Sequence, residues 1–261
     1  MSPMPSEPAT DQQLYHGATL APVTAVKVVG AAILTIYAVQ IGLYNAGMIE
    51  LGAAAVGFGA VGVGLLVWAH RHGWSRAQLG IRRPALVFVI ASVLVGVSAW
   101  YVNGWIVSLL GVPAGSEGEL RLQAIVGQTP LLPTLLALAV LPALTEELVF
   151  RGVFARALAT KFAWIHAIGF SAAVFALYHL LPPQMVSTFC FGLALGFLTL
   201  RASSVIPAMI AHLLNNTVTL VVTRHEVPGL TQWMDGHAGA MLIGTSVLLA
   251  SGITLAARGA A

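Results

Sequence analysis

Glu146, Glu147, Arg151, His179, His212 and Asn216 stand inside stretches of the chain that are otherwise apolar. An ionisable residue in hydrocarbon costs about 2.5–3.5 kcal/mol on insertion scales, so each of these side chains should answer to a partner or a task. The set has a definite chemistry. A carboxylate shielded from solvent is a stronger base than a hydrated one and can take a proton from water. Imidazole and amide N–H groups can stabilise an oxyanion, an effect worth about 3–4 kcal/mol per donor in favourable sites. Together these would suit hydrolysis of a peptide bond. The same nitrogen and oxygen atoms are also what zinc takes as ligands, with Glu146, His179 and His212 as the set if the site is metal-dependent, although no HExxH occurs.

Helical spacing divides the two acids. Adjacent residues on a helix point about 100° apart, so Glu146 and Glu147 are not expected to share a face. Glu147 and Arg151 are four apart with the acid first, the favoured order for an ion pair, and Arg151 can hold Glu147 ionised. Glu146 is left without a local partner and is free for chemistry. His212 and Asn216 project from one face, as do Phe175 and His179. Asn215 is assigned to contacts between helices. Pro142, one turn before the paired acids, lacks an N–H, which frees a carbonyl and favours a kink. His166 lies near a segment end, and His70, His72, His225 and His237 fall in loops or at helix ends, where water solvates them.

The elements that carry these residues follow from composition. Of 261 residues, 58% are hydrophobic and 8% charged, and the mean hydropathy is +0.88. A soluble domain carries roughly 25% charged residues. Apolar segments long enough to cross a bilayer recur at about 23–45, 47–69, 85–110, 130–159, 162–181, 184–201, 203–222 and 238–257. The expected fold is therefore all-α: a polytopic membrane protein of about eight transmembrane helices, the fourth overlong, with a polar site inside the bundle. Open sheets are excluded by lipid, and no alternating pattern suggests a barrel. The run "GAAAVGFGAVGVG" suits close helix–helix approach. Residues 1–22 read as a disordered cytoplasmic tail, and 23–261 as one transmembrane domain.

Charge assigns the topology. With alternate crossings, 10 of the 12 Lys and Arg residues fall on one face, leaving Arg121 and Arg224 opposite. The positive-inside rule makes that face cytoplasmic and places both termini there. The overlong fourth helix is expected to carry Arg156 beyond the lipid. A net charge of +3 without any basic run gives no reason to expect nucleic acid. The single cysteine, Cys190, excludes an internal disulfide and any cysteine-based zinc site, and in its apolar setting reads as packing. Trp68, Trp74, Trp100 and Trp105 read as interfacial anchors or packing.

Three short motifs now stand in order on three apolar segments: EELVFR (146–151) as EExxxR, FALYH (175–179) as FxxxH and HLLNN (212–216) as HxxxN. Over about 125–225 the chain resembles the CPBP family of intramembrane proteases, which includes CAAX prenyl endopeptidases and bacteriocin-processing or bacteriocin-immunity proteins. The resemblance implies an endopeptidase in which Glu146 activates water with help from His179. It implies that His212 and Asn216 stabilise the oxyanion, and that Glu147 and Arg151 support the site. The separate face assigned to Glu146 favours a metal-independent glutamate mechanism, with a divalent metal such as zinc as the alternative. The expected partners are the lipid bilayer and a membrane-associated protein or peptide, lipidated or carrying a C-terminal sorting tail. The expected location is a bacterial inner membrane. A catalytically silent immunity or scaffold protein is the alternative reading. A transporter is the third, and no internal symmetry of the kind common in transporters supports it.

Overall fold

The computed structural model describes residues 20–112, 115 and 117–259. Among them are ten helices and no strand. In chain order these are α1 (Pro22–Asn45), α2 (Glu50–Arg71), α3 (Leu86–Leu109), α4 (Glu117–Gln128), α5 (Leu131–Ala159), α6 (Trp164–Tyr178), α7 (Pro182–Ala202), α8 (Ile206–Thr223), α9 (Leu230–Gly236) and α10 (Ala238–Arg258). Seven of them, α1, α2, α3, α5, α7, α8 and α10, are long and apolar enough to cross a membrane. The expected fifth span is shorter: α6 has 15 residues and ends at Tyr178, because Leu180 turns the chain with φ 62° ahead of Pro182 and Pro183. The tail assigned to residues 1–22 falls mostly outside the described residues, and only its last residues, which begin α1, lie within them.

Large apolar side chains cover the outer faces, among them Leu34, Leu132, Val63 and Ile243, each more than 60% exposed. Water would not tolerate such a surface, and lipid does. Inside are a small buried cluster of Val126, Ala139 and Leu220 and two large ones. One joins α1, α2, α5 and α6 through Val29, Ile36, Phe58, Phe150, Phe154, Ile168 and Phe175. The other joins α3, α7, α8 and α10 through Phe88, Val95, Phe191, Leu195, Ala211 and Ala256. Small residues set the closest approaches. A Cβ on Gly96 of α3 would lie 2.6 Å from the Ala211 carbonyl of α8, and one on Gly62 of α2 would lie 2.8 Å from the Thr145 hydroxyl of α5. A Cβ on Gly59 or Gly64, in the same glycine run, would meet nothing within 4 Å, so only part of that run sets a close approach.

The two ends of the bundle differ. At the end rich in arginine, the Val205 amide donates to Gly80 (2.8 Å) and the Ser204 hydroxyl to Arg82 (2.6 Å). Arg201 there donates to the carbonyls of Ala257 and Gly259. Arg156, expected beyond the lipid, is buried beneath this loop at the same end and donates to Ala77. The opposite end carries α4, a helix that the sequence reading left as loop. Arg121 pairs with Glu50 and donates to Tyr44 (2.6 Å), tying α4 to the α1–α2 turn. Arg224 caps the other end of α4 by donating to the carbonyls of Val126 and Thr129. The two arginines that stand apart from the basic face are thus the two that hold α4.

Candidate active site

α5 is not a uniform α-helix. Leu136–Val140 and Glu147–Ala155 are wound with i→i+5 hydrogen bonds, a wider turn that recurs at functional sites. The second segment begins at the second acid. Glu146 and Glu147 themselves keep ordinary α-helical dihedrals, φ −66° with ψ −41° and −37°, so their side chains point apart as on any helix. Both meet one imidazole. His212 Nδ1 donates to Glu147 Oε1 at 2.8 Å, and Nε2 of the same ring stands 3.8 Å from Glu146 Oε2. The two acids diverge as adjacent helical residues do, and His212 stands between them with one ring nitrogen towards each.

Glu147 and Arg151 form the pair that their spacing predicts, at 3.1 Å, with both side chains fully buried. Arg151 also donates to the Gly192 carbonyl of α7 at 3.4 Å, and its guanidinium lies 4.2 Å from the centre of the Phe175 ring. Gly192 admits this approach, since a Cβ there would come within 3.0 Å of the guanidinium. Phe175, the aromatic of the second motif, is thus a platform for the cation. Its edge also meets the His179 ring at 4.8 Å.

His179 caps α6 rather than standing within it. Its Nδ1 lies 2.8 Å from the Phe175 carbonyl. A carbonyl can only accept, so Nδ1 carries the proton and Nε2 keeps its lone pair. His212 is held in the same sense, since the Glu147 carboxylate also accepts from Nδ1. Both imidazoles therefore present Nε2 as the unused nitrogen.

Asn216 reaches α5. Its amide donates to the Leu138 carbonyl at 3.0 Å and its oxygen accepts from Asn215 at 3.2 Å. Leu138 is four residues before Pro142, which has no N–H to give it. The carbonyl freed by Pro142 is thus satisfied by the asparagine of the third motif. One N–H of Asn216 is occupied there, and the second is not.

A cavity of about 610 Å³ lies against these groups. Glu146, His179, His212 and Asn216 all line it, whereas Glu147 and Arg151 do not. Glu146 is only 3% exposed, yet it faces that space. The sequence reading missed several of the cavity's other residues. The Tyr178 hydroxyl lies beside Glu146, and the Tyr37 hydroxyl of α1 donates to the Tyr178 carbonyl. Tyr178 sits directly before the motif histidine, which was the available signal, but a lone aromatic in an apolar segment reads as packing. Trp100, expected to anchor or pack, lines the cavity as well. His166 is exposed and away from the site, and Cys190 is partly exposed and does not line the cavity.

Among the described residues no three His, Cys, Asp or Glu side chains are grouped so that they could hold one metal ion.

Residues 128–218 match the family model described as type II CAAX prenyl endopeptidase Rce1-like. No curated protein and no solved structure matches the chain. The matched stretch runs from the end of α4 into α8 and contains both acids, Arg151, both histidines of the site and Asn216. It leaves out α1, α2 and α3, which add Tyr37, Gln40, Phe58, Trp100 and Asn103 to the cavity. With its seven long apolar helices and this protease match, the chain is an integral membrane protein whose residues 128–218 are similar to the Rce1-like type II CAAX prenyl endopeptidases.

Proposed function

We propose that the protein is an intramembrane endopeptidase that hydrolyses a peptide bond with water activated by Glu146. The observation that carries this reading is the division of the paired acids. Glu147 is turned onto Arg151 and His212, while Glu146 lines the cavity with no cation bound to it. The 3.8 Å gap between Glu146 Oε2 and His212 Nε2 is too long for a hydrogen bond, so that oxygen is free to accept from water. In the proposed reaction Glu146 takes a proton from water as its oxygen adds to the scissile carbonyl. The carbonyl becomes an oxyanion, the C–N bond then breaks, and the proton passes to the leaving amine. His179, with Nε2 available, assists the proton transfers. His212 and the second N–H of Asn216 stabilise the oxyanion, His212 doing so in the form that carries a proton on Nε2 as well. No step needs a metal.

The test compares membrane proteomes of cells carrying the wild-type protein or Glu146→Gln, followed by cleavage of the accumulated precursor by purified protein. Glu146→Gln is expected to insert and fold, to leave a precursor uncut, and to lose at least about 100-fold in turnover. Turnover retained by Glu146→Gln would overturn the assignment. Activity is expected to survive a chelator; full loss restored by zinc would replace the metal-free route.

A further inference from the structure

Asn103 is, like Glu146 and His212, a buried polar residue that faces the cavity, but none of the three motifs includes it. It lies on α3, is 6% exposed and has no hydrogen-bond partner among the described residues. Its neighbours on α3 behave differently. Ser92 and Ser98 are fully buried and return their hydroxyls to carbonyls of their own helix, at 2.8 Å to Val89 and 2.6 Å to Leu94. The Asn103 carboxamide is not among the sealed, unpartnered atoms of the interior but opens onto the cavity, where a partner that arrives from outside can meet it.

The surroundings narrow the choice. Gln40 of α1 and Gln184 of α7 line the same cavity, also with unbonded side-chain amides. No lysine, arginine or aspartate is among the described lining residues, and Glu146 is the one acid. Such a space does not favour a charged ligand. A carboxamide carries an acceptor and two donors side by side, the complement of a peptide C=O and N–H, and it ignores the side chain between them. An extended peptide entering a lipid-bounded site must find such partners, because hydrocarbon supplies none.

Position fits as well. α3 and α8 run in the same direction and touch where Gly96 meets Ala211, the neighbour of His212. Asn103 is seven residues beyond Gly96, about 10 Å further along the helix. That distance corresponds to about three residues of extended chain.

We infer that Asn103 is a positioning residue that binds the main chain of an extended, uncharged substrate segment, about three residues from the scissile bond, with Gln40 and Gln184 as further contacts. This rests on the endopeptidase reading of the cavity.

The experiment measures binding, so that it stands apart from cleavage. Full-length Glu146→Gln protein in lipid nanodiscs is titrated against a dye-labelled nonapeptide of Ala, Val, Leu and Ser, blocked at both ends, and read by fluorescence anisotropy. A second probe has the same sequence with alternate amides N-methylated, and a third has a free C-terminal carboxylate. N-methylation is expected to weaken binding at least about tenfold, as the loss of one or more main-chain hydrogen bonds requires. Adding Asn103→Leu should weaken the unmethylated peptide about tenfold and leave the methylated one unchanged, while Asn103→Gln restores part of the loss. The free acid should bind no more tightly than the blocked peptide. Failure of the blocked peptide to bind, indifference to N-methylation, or tighter binding of the free acid would overturn the inference, and so would an equal loss for both peptides on Asn103→Leu. The N-methylation result decides without any change at Asn103, so a variant that does not fold leaves the test intact. Each of these failures leaves the role of Glu146 in cleavage standing.

Discussion

Replacing Arg151 by methionine removes a cation on which three groups converge, and its cost can be worked from the site. Arg151 and Glu147 have no exposed side-chain surface, and they pair at 3.1 Å. Without the guanidinium, Glu147 remains buried with only His212 Nδ1, at 2.8 Å, against its charge. Removing one partner of a buried ion pair costs about 3–5 kcal/mol. For a chain of this size that is a fall in melting temperature of roughly 6–20 °C. The pair itself is incompletely satisfied, since Glu147 Oε2 and Arg151 Nε have no hydrogen bond. Exchange of both members, Arg151→Met with Glu147→Leu, should therefore return stability to within about 2 kcal/mol of the wild type. Activity should not return. His212 loses the acceptor that fixes its ring, and loss of a comparable orienting carboxylate costs far more than about 100-fold in turnover. The assay is thermal unfolding in detergent micelles, paired with cleavage of the substrate identified from the proteome comparison. A double variant as unstable as the single one would refute the electrostatic account of stability. A double variant that regains turnover would refute the orienting role of Glu147.

Two further outcomes follow from the same geometry. Tyr178→Phe removes the hydroxyl beside Glu146 and keeps the ring, whose centre lies 5.8 Å from that of Phe150. Turnover should fall about 10- to 100-fold with the melting temperature almost unchanged, and equal turnover would show that the hydroxyl does not tune the acid. Gly96→Ala places a Cβ 2.6 Å from the Ala211 carbonyl and 2.9 Å from its Cα. Backbone cannot yield as a flexible side chain can, so a loss of about 1–3 kcal/mol and reduced cleavage are expected, whereas Gly59→Ala, which meets nothing within 4 Å, should match the wild type in both measurements.

The legible part of this protein is the part where polarity stands against an apolar background. Glu147 and Arg151 announced their pairing through spacing and order alone, and the long spans announced themselves by length. The four residues assigned to catalysis do line one cavity. What stayed hidden depends on local backbone geometry or on groups that carry no charge. The early end of α6 follows from the left-handed turn at Leu180, which a continuous apolar run conceals. α4 has a weakly apolar sequence, and it is held in place by Arg121 and Arg224, contacts between segments far apart in the chain. Tyr178 and Asn103 are uncharged, one beside a motif and one on a helix outside the matched stretch, so neither contrasts with its surroundings. The approach of both acids to one imidazole was out of reach as well, since spacing within one segment says nothing of a ring that arrives from α8.

That winding has a consequence for how the chain tolerates change. A stretch with i→i+5 bonding holds more residues per turn than the α-helix around it, so Glu147–Ala155 contains slack. Loss of one residue from it could be taken up by tightening to ordinary α-winding, without moving Leu131–Leu135 on one side or Arg156–Ala159 on the other. The span would still cross the membrane, and the letters of the first motif could still be read in order. The second acid and the arginine would nonetheless turn away from His212. Fold and motif can therefore survive an alteration that silences the site, and the winding of this helix, as much as its spelling, separates a working member of such a family from an inert one.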